Sequence, residues 1–188
     1  MQMRRFFLGL ATLGCLAAGV PLAAQASGQR DDQAIEQDRE SVRQFMRLGL
    51  PDQARPILRG LCFEDSDATA CQNYGVMAMT GEGGVPDMID GRAAFRKGCD
   101  GGLFESCQNY ADALVNGEGG AVDDPGALGI YLWLCQNSYG GRNCFRAASM
   151  VEEGRGMTEA DPAKAQEGYR RACELRFRPA CERVRSDP

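Results

Sequence analysis

The chain has 188 residues, a formal charge of −5 and no histidine. That length fits one domain. The missing histidine removes the commonest general base and a principal zinc ligand, and the acidic balance argues against generic nucleic-acid binding.

The first element in chain order is an export signal. "MQMRRFFLGLATLGCLAAGVPLAAQASG" opens with Arg4 and Arg5, continues as an apolar run and ends in Ala24-Gln25-Ala26 before Ser27. These are the charged, apolar and small-residue regions of a secretory signal. Residues 1–26 are therefore expected to be a signal peptide, with a mature start at Ser27 and a periplasmic or secreted product. Membrane contact is expected only through the uncleaved signal. Two competing readings are weaker. Pro21 and the A-x-A ending argue against a membrane anchor. A lipoprotein signal at Cys15 would want an aliphatic residue where Thr12 stands. Residues 27–35 are polar and are expected to form a flexible N-terminal segment.

Residues 36–61 read as a helix pair that caps the N-terminal end. Val42, Phe45 and Met46 give the apolar stripe of its first helix. Pro56 is placed about one turn into the second, where no intrahelical donor is yet required.

From Cys62 onward a period appears. Once Cys15 is set aside with the signal, eight cysteines remain, at 62, 71, 99, 107, 135, 144, 173 and 181. The first members of the pairs fall 37, 36 and 38 residues apart, the second members 36, 37 and 37. A fixed spacing of this size marks stacked repeats. Other positions keep phase with it. Counted from the second cysteine, a small residue recurs at plus four (Gly75, Ala111, Ala148). Glycine recurs at plus ten and plus twelve (Gly81 and Gly83, Gly117 and Gly119, Gly154 and Gly156). An aromatic precedes the next first cysteine by four (Phe95, Tyr131, Tyr169).

Each unit reads as two helices. In "CQNYADALVNG" Tyr110, Ala111, Leu114 and Val115 share a stripe, and the glycines stop the helix. The second helix starts at Asp124-Pro125, a side-chain cap followed by proline in the first turn, with Leu128, Tyr131 and Leu132 inward. Asp161-Pro162 repeats the signal, and the first unit, lacking it, starts its second helix near Asp90. The expected repeats are 62–98, 99–134 and 135–172, with 173–188 as a short C-terminal capping helix. The fold class is all-α: a right-handed α/α solenoid of about four helix pairs, stapled by disulfides.

The staples follow from geometry. Eight residues of helix rise about 12 Å, whereas a disulfide needs its Cα atoms about 4.4–6.8 Å apart. The two cysteines of a pair therefore cannot share one helix and bond. Turn residues lie between them, such as Asp100-Gly101-Gly102. Each first cysteine ends a repeat and each second opens the next. The expected bonds are Cys62–Cys71, Cys99–Cys107, Cys135–Cys144 and Cys173–Cys181. Zinc and thioredoxin-like readings both want C-x-x-C spacing, which the chain lacks.

The small residue at plus four, the "GEG" after the first helix and the "DP…A…Y…AC" of the second resemble the Sel-one-like repeat, a relative of the tetratricopeptide repeat. The cysteine pairs resemble its secreted, disulfide-stapled branch. The likeness covers roughly residues 36–183 and departs at plus seven, where the usual tyrosine is Ala78, Leu114 or Val151. It implies a concave face lined by first helices and a role in binding protein or peptide, as scaffold or adaptor in the periplasm or envelope. Some cysteine-rich members are described as penicillin-binding or weak β-lactamase proteins. This chain has no S-x-x-K, S-D-N or K-T-G, so no catalytic residue, metal ligand or cofactor is expected. A structural stabiliser of an envelope assembly is a third reading.

The expected partner is another exported or envelope protein or peptide. "CQNY" occurs twice and places Asn73 and Asn109 at equivalent positions, where their amides can meet an extended backbone or tie down the stapled turns. Asp112 joins them as a partner-binding candidate, with Tyr74 and Tyr110 assigned to the core. Residues 62–139 carry twelve acidic and three basic side chains. That split points to docking on the first two repeats and to an extended or basic partner segment.

Overall fold

The computed structural model describes residues 30–185. The expected signal peptide, its cleavage at Ser27 and residues 186–188 of the C-terminal cap lie outside them. The described residues form nine helices and no strand: α1 (Asp32–Arg47), α2 (Pro51–Phe63), α3 (Ala68–Thr80), α4 (Met88–Asp100), α5 (Phe104–Asn116), α6 (Asp124–Gln136), α7 (Gly141–Glu153), α8 (Pro162–Glu174) and α9 (Arg178–Arg185).

Capping chemistry sets the starts, and it moves several of them from where the sequence pattern put them. α1 begins at Asp32 rather than 36. Asp31 accepts the Ala34 N–H at 2.7 Å, and Arg30 bonds both Asp38, at 2.5 Å, and Asp65. Ile35 is the one large apolar side chain of that first turn, so polar contacts decide the boundary. α2 takes Pro51 in its first turn, which leaves Pro56 inside the helix. Its ring nitrogen cannot donate to the carbonyl four residues back. α4 starts two residues before Asp90, because Asp87 accepts the Asp90 N–H at 3.0 Å. In α6 the cap is Asp123, which accepts the Gly126 N–H at 2.9 Å; Asp124 is already helical. Asp161 caps α8 as the Asp-Pro signal predicts.

The paired glycines do two different jobs. Gly81, Gly117 and Gly154 are left-handed C-caps of α3, α5 and α7. Gly83, Gly119 and Gly156 also have positive φ, and there the loop rests on the start of the preceding repeat's second helix. A Cβ would lie 2.4 Å from the Pro51 carbonyl oxygen, 2.0 Å from that of Met88 and 2.7 Å from that of Asp124 respectively.

Packing runs from each helix to the next in sequence, with further contact of α2 with α4 and of α3 with α5. That one-dimensional pattern is a solenoid. The in-phase residues form its core. Phe95, Tyr131 and Tyr169 are buried, and the Phe95 ring fills the space a Cβ on Gly75 would take, 2.5 Å away. Two stripe residues face outward instead: Met46 and Leu132 are exposed, while Ile35 packs against the core and Leu134 is fully buried. The four disulfides join the expected cysteines, with Cα atoms 4.4–4.7 Å apart. Each links the last turn of a second helix to the first turn of the next helix.

Candidate functional site

The first helices α1, α3, α5 and α7 stand side by side and leave grooves between them. One groove of about 360 Å³ is lined by Arg39, Val42 and Arg43 of α1 and by Thr69, Ala70 and Asn73 of α3, over a floor of Leu58 and Leu61. A second, of about 320 Å³, lies between α5 and α7 and includes Val115, Arg142, Arg146 and Ser149. The position two residues after the second cysteine lines this face. It is Asn73, Asn109, Arg146 and Arg183 along the stack.

The three sequence candidates fare differently. Asn73 is exposed and Asn109 half-buried, and neither amide is hydrogen-bonded to a described side chain. The neighbouring Gln72 does tie down a stapled turn, because the Ser106 hydroxyl donates to its Oε1 at 2.8 Å. The repeated amide pair therefore divides its work between Gln72, which holds the turn, and Asn73, which faces the groove. Asp112 is already engaged. The Tyr131 hydroxyl donates to it, and Arg142 and Arg146 approach at 3.6 and 3.5 Å. Tyr74 is core, as expected, and Tyr110 is half-buried against the cluster around Leu114 and Tyr131.

Asp112 belongs to a device that recurs along the stack: a buried tyrosine, a carboxylate and an arginine. Tyr74 donates to Asp90 at 3.0 Å, and Arg59 bonds the same carboxylate at 2.9 Å. Tyr169 donates to Glu152 at 2.7 Å, and Arg183 meets the same group. Burial first, and donation to a carboxylate second, push the Tyr74 and Tyr131 phenols above the ordinary range. They stay neutral donors, suited to holding helices together. The sequence read these acids as a docking charge; several of them are structural. Asp65 bonds Arg30, Asp67 bonds Arg39 while capping α3, and Asp124 bonds Arg155.

The first-helix face is thus amide in the middle and arginine-bearing at both ends. Arg146 holds the same repeat position as Asn73 and Asn109, but no periodic signal flags Arg39, Arg43 or Arg142, which lie in α1 and α7 outside the "CQNY" motif. All eight described cysteines are in disulfides. Among the described residues no group of three histidine, cysteine, aspartate or glutamate side chains is placed to hold a metal.

No protein-family model and no curated protein matches the chain in sequence. Solved structures do match in shape. A Sel1 repeat protein from Oxalobacter formigenes superposes with a TM-score of 0.63 at 17% identity, over 78% of this chain and 57% of that one. The protective antigen c5321 of uropathogenic Escherichia coli, which displays an SLR fold, gives 0.51 at 19% identity, over 81% of this chain and 40% of its own. The cysteine-rich protein B of Helicobacter pylori gives 0.50 at 15% identity, over 77% and 95%. The chain spans only about half the length of the first two.

The fold is therefore the right-handed α/α solenoid of Sel1-like repeat proteins, as the sequence resemblance implies. With its four bonds it is a disulfide-stapled example, and such bonds persist in an oxidising setting.

Proposed function

We propose that this chain is an exported repeat protein that binds another exported or envelope protein on its first-helix face, as a periplasmic or secreted scaffold or adaptor. One observation carries the reading: Asn73 and Asn109 repeat at the same register on adjacent first helices, and neither amide is hydrogen-bonded to a described side chain. Spaced amides of this kind can donate to and accept from an extended peptide backbone. The groove beside Asn73 offers apolar depth at Leu58 and Leu61 and guanidinium groups at its rim. Four disulfides and the N-terminal signal pattern support an exported setting.

The test is paired capture from a periplasmic extract, using the mature wild-type chain and N73A/N109A. A partner retained by the wild type and lost by the variant, at unchanged melting temperature, supports the reading. Equal capture by both, or a melting temperature lowered by several degrees in the variant, contradicts it and returns the amides to a structural role.

A further inference from the structure

Six carboxylates, three of them the helix caps Asp87, Asp123 and Asp161, gather elsewhere, on the edge formed by the loops within the repeats. Stacking places these loops on one edge. Besides the glycine contacts at Pro51, Met88 and Asp124, Arg55 donates to the Val85 carbonyl and Arg92 to the Ala121 carbonyl, each at 2.8 Å. Loops 81–87, 117–123 and 154–161 hold six carboxylates and one basic side chain, Arg155, and the Arg55 and Arg92 guanidinium groups that bond the first two loops still leave the edge net acidic. Arg155 is occupied by Asp124. Of the six acids only Asp161 pairs with a cation among the described residues, Lys164 at 2.8 Å.

The same edge carries three of the most exposed large aliphatic side chains among the described residues. Val85 is 82% exposed, Ile89 72% and Val122 56%. Val85 and Val122 stand in successive loops and Ile89 in the first turn of α4, where the Gly119 loop rests on Met88, so the three line one edge that a partner can cover.

We propose that this loop edge is a second docking surface, for a basic segment of another protein in which aliphatic residues alternate with lysine or arginine. Charge selects this occupant. A second copy meeting this one edge to edge would bring carboxylates against carboxylates, and an anionic lipid surface would be repelled in the same way. A cationic segment is attracted by Glu82, Glu118 and Glu159 and can lay its apolar side chains on the three aliphatics.

The probe is a fluorescent peptide alternating valine and lysine, with a valine–glutamate peptide as its counterpart, followed by anisotropy on the full mature chain. The wild type should bind the first and not the second, with affinity falling as salt rises. V85S/I89S/V122S should lose roughly tenfold or more in affinity at an unchanged melting temperature, since all three side chains are exposed. E82Q/E118Q/E159Q should keep the three aliphatics and lose the salt dependence. N73A/N109A should bind the peptide like the wild type, which separates this surface from the first-helix face. The proposal falls if the wild type ignores the valine–lysine peptide or binds both peptides alike. It falls too if the triple serine variant binds normally, if N73A/N109A abolishes binding, or if phosphatidylglycerol vesicles bind through the three aliphatics.

Discussion

At the residue scale, glycine at two kinds of site gives a sharp contrast. Gly119 has φ +70° and no room for a Cβ, whereas Gly102 has φ +84° with nothing within 4 Å. Gly102→Ala should cost only the left-handed strain, about 1–2 kcal/mol. Gly119→Ala adds a clash with the backbone of α4 and should cost roughly 3 kcal/mol or more. Denaturant melts of the two variants check this; equal losses would mean that the loop does not rest on Met88. A second residue-scale expectation concerns acid. Hydrogen bonding from Arg30 lowers the Asp65 carboxyl below its ordinary range. A lowered carboxyl stabilises the fold above its unfolded value of about 3.9, and that contribution is lost as pH falls through the folded value. Asp65→Asn should therefore lower the melting temperature at neutral pH and flatten its decline below about pH 4. A parallel decline in both proteins would show that the Arg30 contact is absent in solution.

At the scale of elements, the staples close loops of eight or nine residues between consecutive repeats. Each is worth roughly 2–3 kcal/mol on the chain-entropy view. Replacing Cys99 and Cys107 together with serine should lower the melting temperature by several degrees, read by calorimetry. Solenoid stability is a sum of repeat and interface terms, so loss at a central junction should also split the transition. An unchanged single transition would contradict the stapling role. The cysteine pairs, the in-phase glycines and the aromatic four residues before each first cysteine are periodic and local, and they made the helix order and the bonds legible in the sequence. Helix starts were less so, because a cap depends on which aspartate reaches a free N–H: Asp123 rather than Asp124, and Asp87 ahead of Asp90. The role of Asp112 was not legible at all. Its partners, Tyr131, Arg142 and Arg146, lie 19 or more positions away in the chain, and only the stacking of repeats brings them to it.

At the scale of the whole molecule, the solenoid separates its surfaces by chemistry. The first-helix face has amides without a described hydrogen-bond partner between arginine-bearing ends, while the loop edge has mostly unpaired acids and exposed aliphatics. The second helices carry neither arrangement in full. The central claim is that a protein partner lies along the first helices. Its most direct test is site-specific photo-crosslinking in the exported chain, with the photoreactive side chain at positions 69 and 116 on the first-helix face and at 96 and 170 on the second helices. All four positions are at least partly exposed, and positions 69 and 116 flank Asn73 and Asn109 without replacing them. The account expects one discrete protein adduct from 69 and 116, and none of that mass from 96 and 170. The same adduct from all four positions, or adducts from the second helices alone, would contradict it.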